Sequence, residues 1–183
     1  MSRRNRERRK QNLLRKEMGV NVPVDYPKLA EAVHRTVCSY TGTDGCGDCM
    51  TYAIVACAWL NRITRIPHAL AGGHFVSSVK GVGEIHYDHF WIMRGGVGNW
   101  TYLDFATRHN STLIRKGFAK ARPGEVLAPD AIDPGLDVPY YVGDGEGQPW
   151  KYLIITEDTL HAQAEYSQSD KLEAIERVNR YLR

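Results

Sequence analysis

The chain has 183 residues, 43% of them apolar, with 24 Lys+Arg against 21 Asp+Glu and four cysteines. That length suits one domain with a core large enough to need neither disulfides nor a structural metal, and the apolar fraction excludes an intrinsically disordered chain. No apolar run reaches the roughly 18–20 residues of a membrane-spanning helix, and no apolar segment follows the N-terminal charges as a secretory signal would require, so the reading is a soluble, cytoplasmic protein.

The net charge of +3 is unevenly placed. Eight of the bases and one acid (Glu7) lie in residues 1–16, which leaves 16 bases against 20 acids in the remainder. Residues 1–20 therefore read as a flexible basic arm, and 21–183 as a single, mildly acidic domain. Residues 3–16 suit a weak contact with nucleic acid or another anionic surface. The folded body lacks the basic excess that a dedicated nucleic-acid binder needs.

In chain order, residues 28–40 predict a helix, with Leu29, Ala32, Val33, Thr36 and Val37 at helical spacing. A turn rich in Gly and Asp follows. Next comes MTYAIVACAWLNRI, apolar on nearly every side, the pattern of a helix buried inside a domain and closed by Pro67. Beyond it HALAGGHFVSSV, GEIHYDHFWIMR and NWTYLDFAT predict three strands of an antiparallel meander. Residues 107–149, punctuated by five prolines, read as irregular, and their length makes them the expected source of specificity. YLIITE predicts another strand. The C-terminal segment predicts a helix with Leu172, Ile175, Val178 and Leu182 on one face and Ser167 or Ser169 as its N-cap. The fold class is α+β: a buried helix packed on an antiparallel sheet.

The four cysteines, Cys38, Cys46, Cys49 and Cys57, all lie in the first third of the chain, a placement that suits chemistry better than cross-linking. Cys57 reads as an ordinary buried thiol. Cys49 opens the buried helix, where unpaired N–H groups and a partial positive charge of about half a unit favour a thiolate and can hold an oxyanion. A thiolate nucleophile needs a proton partner. His89 falls on the more apolar face of its strand, with Ile85, Tyr87, Trp91 and Met93, the face expected against the buried helix. Asp104, an isolated acid among Tyr102, Leu103 and Phe105, is costly to bury unless paired, and a hairpin centred near residue 96 or 97 places it opposite His89. A carboxylate on an imidazole fixes its tautomer and raises its basicity.

Cys, His and Asp in that order, on a helix start, a strand and the next strand, resemble the transglutaminase-like superfamily of the papain-like fold. The resemblance spans residues 45–107 and rests on Gly47-Asp48-Cys49, Arg65-Ile66-Pro67, His89-Phe90-Trp91 and Tyr102-Leu103-Asp104. Arg65 departs from the glycine common before Ile-Pro, and Cys46 is a cysteine that the pattern does not require. The resemblance implies a Cys49–His89–Asp104 triad that transfers acyl groups from amide bonds of peptides or proteins through a thioester, with no metal or cofactor. Trp91 and Tyr40 are the side chains considered for an oxyanion site. Three other readings compete. Cys46-x-x-Cys49 at a helix start is also the arrangement of a thiol–disulfide oxidoreductase, although a polar turn precedes it here in place of a strand. Cys46, Cys49, His86 and His89 make a zinc-ligand count, although strand alternation sends the two histidines to opposite faces. The fold can also serve as a non-catalytic interaction module.

Overall fold

The computed structural model describes residues 23–96 and 99–183, so the basic arm lies outside the described residues. The first helix, α1, runs Tyr26–Thr41, two residues earlier than its apolar spacing predicts. Asp25 accepts the Lys28 N–H at its start, and Pro27 is tolerated in a first turn, where its missing N–H costs nothing. Helix α2 spans Cys49–Ile63 and is buried along most of its length. Asn61 ties its last turn to the next strand, donating to the His68 carbonyl and accepting the His68 N–H, both at 2.9 Å.

Strands β1 (His68–Val79), β2 (Gly83–Gly96) and β3 (Asn99–Asp104) form the predicted meander. With β4 (Tyr141–Gly143) and β5 (Trp150–Ile154) they make a five-stranded antiparallel sheet of order β4-β3-β2-β1-β5. The edge strands β4 and β5 nevertheless touch across one face: the rings of Tyr141 and Trp150 are 4.6 Å apart, and those of Tyr102 on β3 and Tyr152 on β5 are 5.1 Å apart. On a flat sheet, β3 and β5 would be about 14 Å apart, three strand spacings. The sheet is therefore strongly curled around an aromatic interior.

Two segments expected to be irregular or extended are helical. Helix α3, Asn110–Ala121, lies within the stretch 107–149; it buries only Asn110, Ile114 and Phe118 and carries Gly117, so its periodicity is faint in the sequence. Helix α4, Thr156–Gln168, replaces the end of the predicted strand and buries a single residue, Ala162. The last helix, α5, is Lys171–Tyr181, and Asp170 caps it by accepting the Glu173 N–H at 3.0 Å. Ser167 and Ser169 instead bond back to carbonyls at the end of α4. Leu172 is exposed, and the buried face of α5 is Ala174 and Val178.

The layers divide the face of β2 that carries His89 from the face that meets α2. Phe90 and Ile92, with Leu70 and Leu103, pack under α1, α2, α4 and α5. Ile85 and Tyr87 join α3 and the 127–136 segment on the opposite side, while Trp91 and Met93 pack with Tyr102 and Tyr152. The expectation that the Tyr87–His89–Trp91 face packs against α2 is thus corrected. Curling the sheet around its aromatic side chains makes that face the interior, and the helix covers the outside. Among the described residues no helix is long and apolar enough to cross a membrane.

Gly73 pairs with His89 on one side and Ile154 on the other, and a Cβ there would run into the Leu153 carbonyl oxygen. Gly73→Ala should cost about 2 kcal/mol, read as a lower urea midpoint at unchanged slope. An unaltered midpoint would show that the contact between β1 and β5 is not as tight as described.

Candidate active site

Cys49 is the first residue of α2 and is 9% exposed. The turn before it passes through left-handed backbone at Gly45 and Gly47, with φ of 81° and 93°. At Gly45 any side chain would also collide with the Tyr52 hydroxyl, so this position requires glycine on two counts. Asp48, the N-cap, gives no side-chain cap to the helix; its carboxylate accepts from the Thr43 hydroxyl at 3.0 Å. The first intrahelical bond is Tyr52 N–H to the Asp48 carbonyl, which leaves the N–H groups of Cys49, Met50 and Thr51 without an intrahelical acceptor.

His89 and Asp104 are brought together. Both are essentially inaccessible, and His89 Nε2–H donates to Asp104 Oδ2 at 2.6 Å. They are not directly opposite, however. Ile92 pairs with Leu103 at the end of the β2–β3 ladder, so continuing the register sets Trp91 across from Asp104 and His89 one pleat further along the same face. The carboxylate spans this diagonal, a reach that cross-strand neighbours two residues apart allow. Asp104 takes two more hydrogen bonds, from the Tyr152 hydroxyl to Oδ2 at 2.7 Å and from the Ala106 N–H to Oδ1 at 2.9 Å.

Burial alone would strip the proton from His89, but the Asp104 charge and hydrogen bond outweigh it and raise the imidazole well above its usual range, with Cys49 adding in the same direction. The free ring nitrogen is Nδ1, which has no hydrogen-bond partner among the described residues. Cys49 is the thiol near enough to influence the ring. Because the β2–β3 ladder ends at Ile92, β2 has a paired strand on only one edge beside His89. A side chain from the start of α2 can act on the imidazole past that open edge.

Two tyrosines complete the surroundings and were not singled out in the sequence. Tyr152 stacks on Trp91 at 4.6 Å and lies nearly parallel to His89 at 6.3 Å. Tyr87 donates to Asn110 Oδ1 at 2.6 Å, and its hydroxyl is held protonated by burial and by the nearby charges of Asp104 and Cys49. The alternation of aromatic residues along β2 and β5 is the one sequence signal that could have marked both. Trp91, considered for an oxyanion site, is fully buried with an unpartnered indole N–H, and Tyr40 packs beneath Arg177 with α1 and α5.

Burial pushes the Cys57 thiol up to about 12. Cys46 Sγ lies 3.7 Å from Lys116 Nζ. His86 pairs with Glu84 and abuts His74 on the other face of the sheet, and among the described residues no three His, Cys, Asp or Glu side chains are grouped as metal ligands. The residues counted for zinc are therefore not assembled. A cleft of about 360 Å³ opens at the turn before α2, bounded by His34, Asp44, Arg108, His109, Asp137 and Pro139. His109 closes one wall through its bond to the Asp44 carbonyl at 3.2 Å.

No protein-family model matches the chain, and no curated protein matches it. A solved crystal structure described only as that of a genomics target is similar over 87% of this chain and 78% of its own, with a TM-score of 0.50 at 15% identity. At that identity the likeness is one of α+β fold alone.

The His89–Asp104 pair has a defined pH signature. With its folded pKa raised above the unfolded value near 6.5, His89 contributes stability that is complete below pH 6.5 and is lost as pH rises through the raised value. Asp104→Asn keeps the shape and removes the charge. The parent should exceed the variant by on the order of 2 kcal/mol at pH 6, with the gap narrowing in alkaline solution. A gap that is constant or widens with pH would contradict this assignment.

Proposed function

We propose that the chain is a thiol-dependent acyl-transfer enzyme acting on amide bonds of peptides or proteins, with Cys49 as nucleophile, His89 as acid and base, and Asp104 as the group that orients His89. The observation that carries this reading is the buried imidazole held by a carboxylate on one nitrogen, with a helix-start cysteine near enough to help raise its pKa. The arrangement also supports placing the chain with transglutaminase-like proteins of papain-like fold.

In the proposed reaction the Cys49 sulfur attacks the amide carbonyl carbon. The unpaired N–H groups at the start of α2 stabilise the developing oxyanion. The C–N bond then breaks, and His89 gives its proton to the departing amine, leaving a thioester on Cys49. His89 next takes a proton from the acceptor, which attacks the thioester and returns the thiol. Water as acceptor gives peptidase or deamidase chemistry, and an amine gives transfer. The cleft beside the Asp44 turn suits an extended peptide. All four cysteines are free thiols, and we assign the protein to the reducing cytoplasm.

The oxidoreductase reading accounts for Cys46 and Cys49 but gives no role to a carboxylate-held His89. The interaction-module reading leaves the desolvation of His89 and Asp104 without a function. Intact-mass analysis after exposure to a peptide panel separates these. The reading predicts an acyl adduct that maps to Cys49, is lost in Cys49→Ala and falls at least tenfold in His89→Ala. A panel that leaves no adduct on Cys49, even with the thioester trapped by rapid acid quench, would refute it.

A further inference from the structure

Of the three hydrogen bonds to Asp104, the one from Tyr152 is not required by a nucleophile–base–orienter set. It also comes from the far edge of the sheet. β5 is separated from β3 by β2 and β1, and the hydroxyl reaches Asp104 only because the sheet curls. Tyr152 pairs with Phe75 in the backbone ladder and lies in the aromatic interior against Trp91 and His89. Phenylalanine would serve that packing as well, so the hydroxyl is what the position adds. A buried phenol must find an acceptor, and this one uses the same oxygen, Oδ2, that holds His89 Nε2.

We propose that Tyr152 is a positioning residue of this site, whose hydroxyl shares Asp104 Oδ2 with His89 and thereby limits how tightly the carboxylate holds the imidazole proton. The inference rests on reading Cys49, His89 and Asp104 as the catalytic set. Two effects follow from the sharing. With the Ala106 N–H on Oδ1, the Tyr152 hydroxyl on Oδ2 fixes the carboxylate at both oxygens, and so steadies the His89 ring that Oδ2 holds. A second donor on Oδ2 also draws charge from the oxygen, and the imidazolium loses part of its stabilisation. A proton held less tightly is more readily given to a leaving amine, since an acid works best when its pKa lies near the working pH.

The groups facing His89 are few. Asp104 reaches it from β3, Cys49 from α2, Tyr87 from its own strand and Tyr152 from β5, while Tyr141 on β4 acts on Tyr152. Burial and the Asp104 charge keep the Tyr152 phenol protonated, so it remains a donor across the working range and does not itself titrate there.

The test is the titration of the His89 imidazole in the full chain, followed by NMR of isotope-labelled histidine. Tyr152→Phe keeps the ring and should move the His89 titration upward by about one pH unit. Site-specific replacement of Tyr152 by 3-fluorotyrosine, a more acidic phenol and stronger donor of nearly the same size, should move it downward. The second variant decides the matter if the first does not fold. A titration unmoved in the fluorotyrosine protein, or moved downward in Tyr152→Phe, overturns the proposal. Neither readout uses a substrate. A missing acyl adduct would refute the enzymatic reading without touching this titration, and an unmoved titration would remove Tyr152 while leaving the adduct.

Discussion

The contact on which the site depends is the 2.6 Å hydrogen bond between His89 and Asp104, made with both side chains out of water. Burying an imidazole and a carboxylate is unfavourable unless each finds its partner and the remaining polar atoms are satisfied. Here the carboxylate is satisfied at both oxygens. The sheet makes this possible by curling until its edges meet through Tyr141, Trp150 and Tyr152, which encloses the pair among aromatic rings. An interior built of rings also fixes the orientation of the imidazole, since His89 is flanked by Phe75, Tyr87, Trp91 and Tyr152.

The helices complete the arrangement from the other side. α2 is buried by α1 and α5 and by the outer face of β1 and β2, so its first residue is held by a rigid element and not by a loop. Its start follows a glycine-containing turn with left-handed backbone at Gly45 and Gly47. The chain leaving β3 at Asp104 runs into Arg108 and His109, which form a wall of the cleft that the Asp44 turn forms from the opposite direction. The turn before Cys49 and the chain leaving Asp104 therefore border one cleft.

Much of this was legible in the sequence. The all-round apolar character of α2, the alternation in β1 to β3 and the isolation of Asp104 each follow from a strong local pattern. The pairing of Asp104 with His89 followed from desolvation cost and the expected hairpin, although the register is diagonal because the hairpin is centred further along than residue 96 or 97. What was not legible depended on curvature. Alternation gives two faces to a strand but does not say which one becomes the interior, so the face carrying His89 was assigned to the helix layer. Tyr152 belongs to a strand distant in both sequence and sheet order, and no spacing rule joins it to Asp104. The short burial faces of α3 and α4, with one to three buried residues each, carry too little periodicity to distinguish them from loop or strand.

The central claim is that the Cys49 sulfur and the His89 imidazole act on each other. The most direct measurement is the rate of iodoacetamide alkylation at Cys49, resolved from the other three thiols by peptide mass mapping, in the parent and in His89→Gln. The account predicts that Cys49 is the fastest-labelled thiol in mildly acidic solution despite its burial, and that this advantage disappears in the variant. Equal Cys49 rates in the two proteins would contradict it.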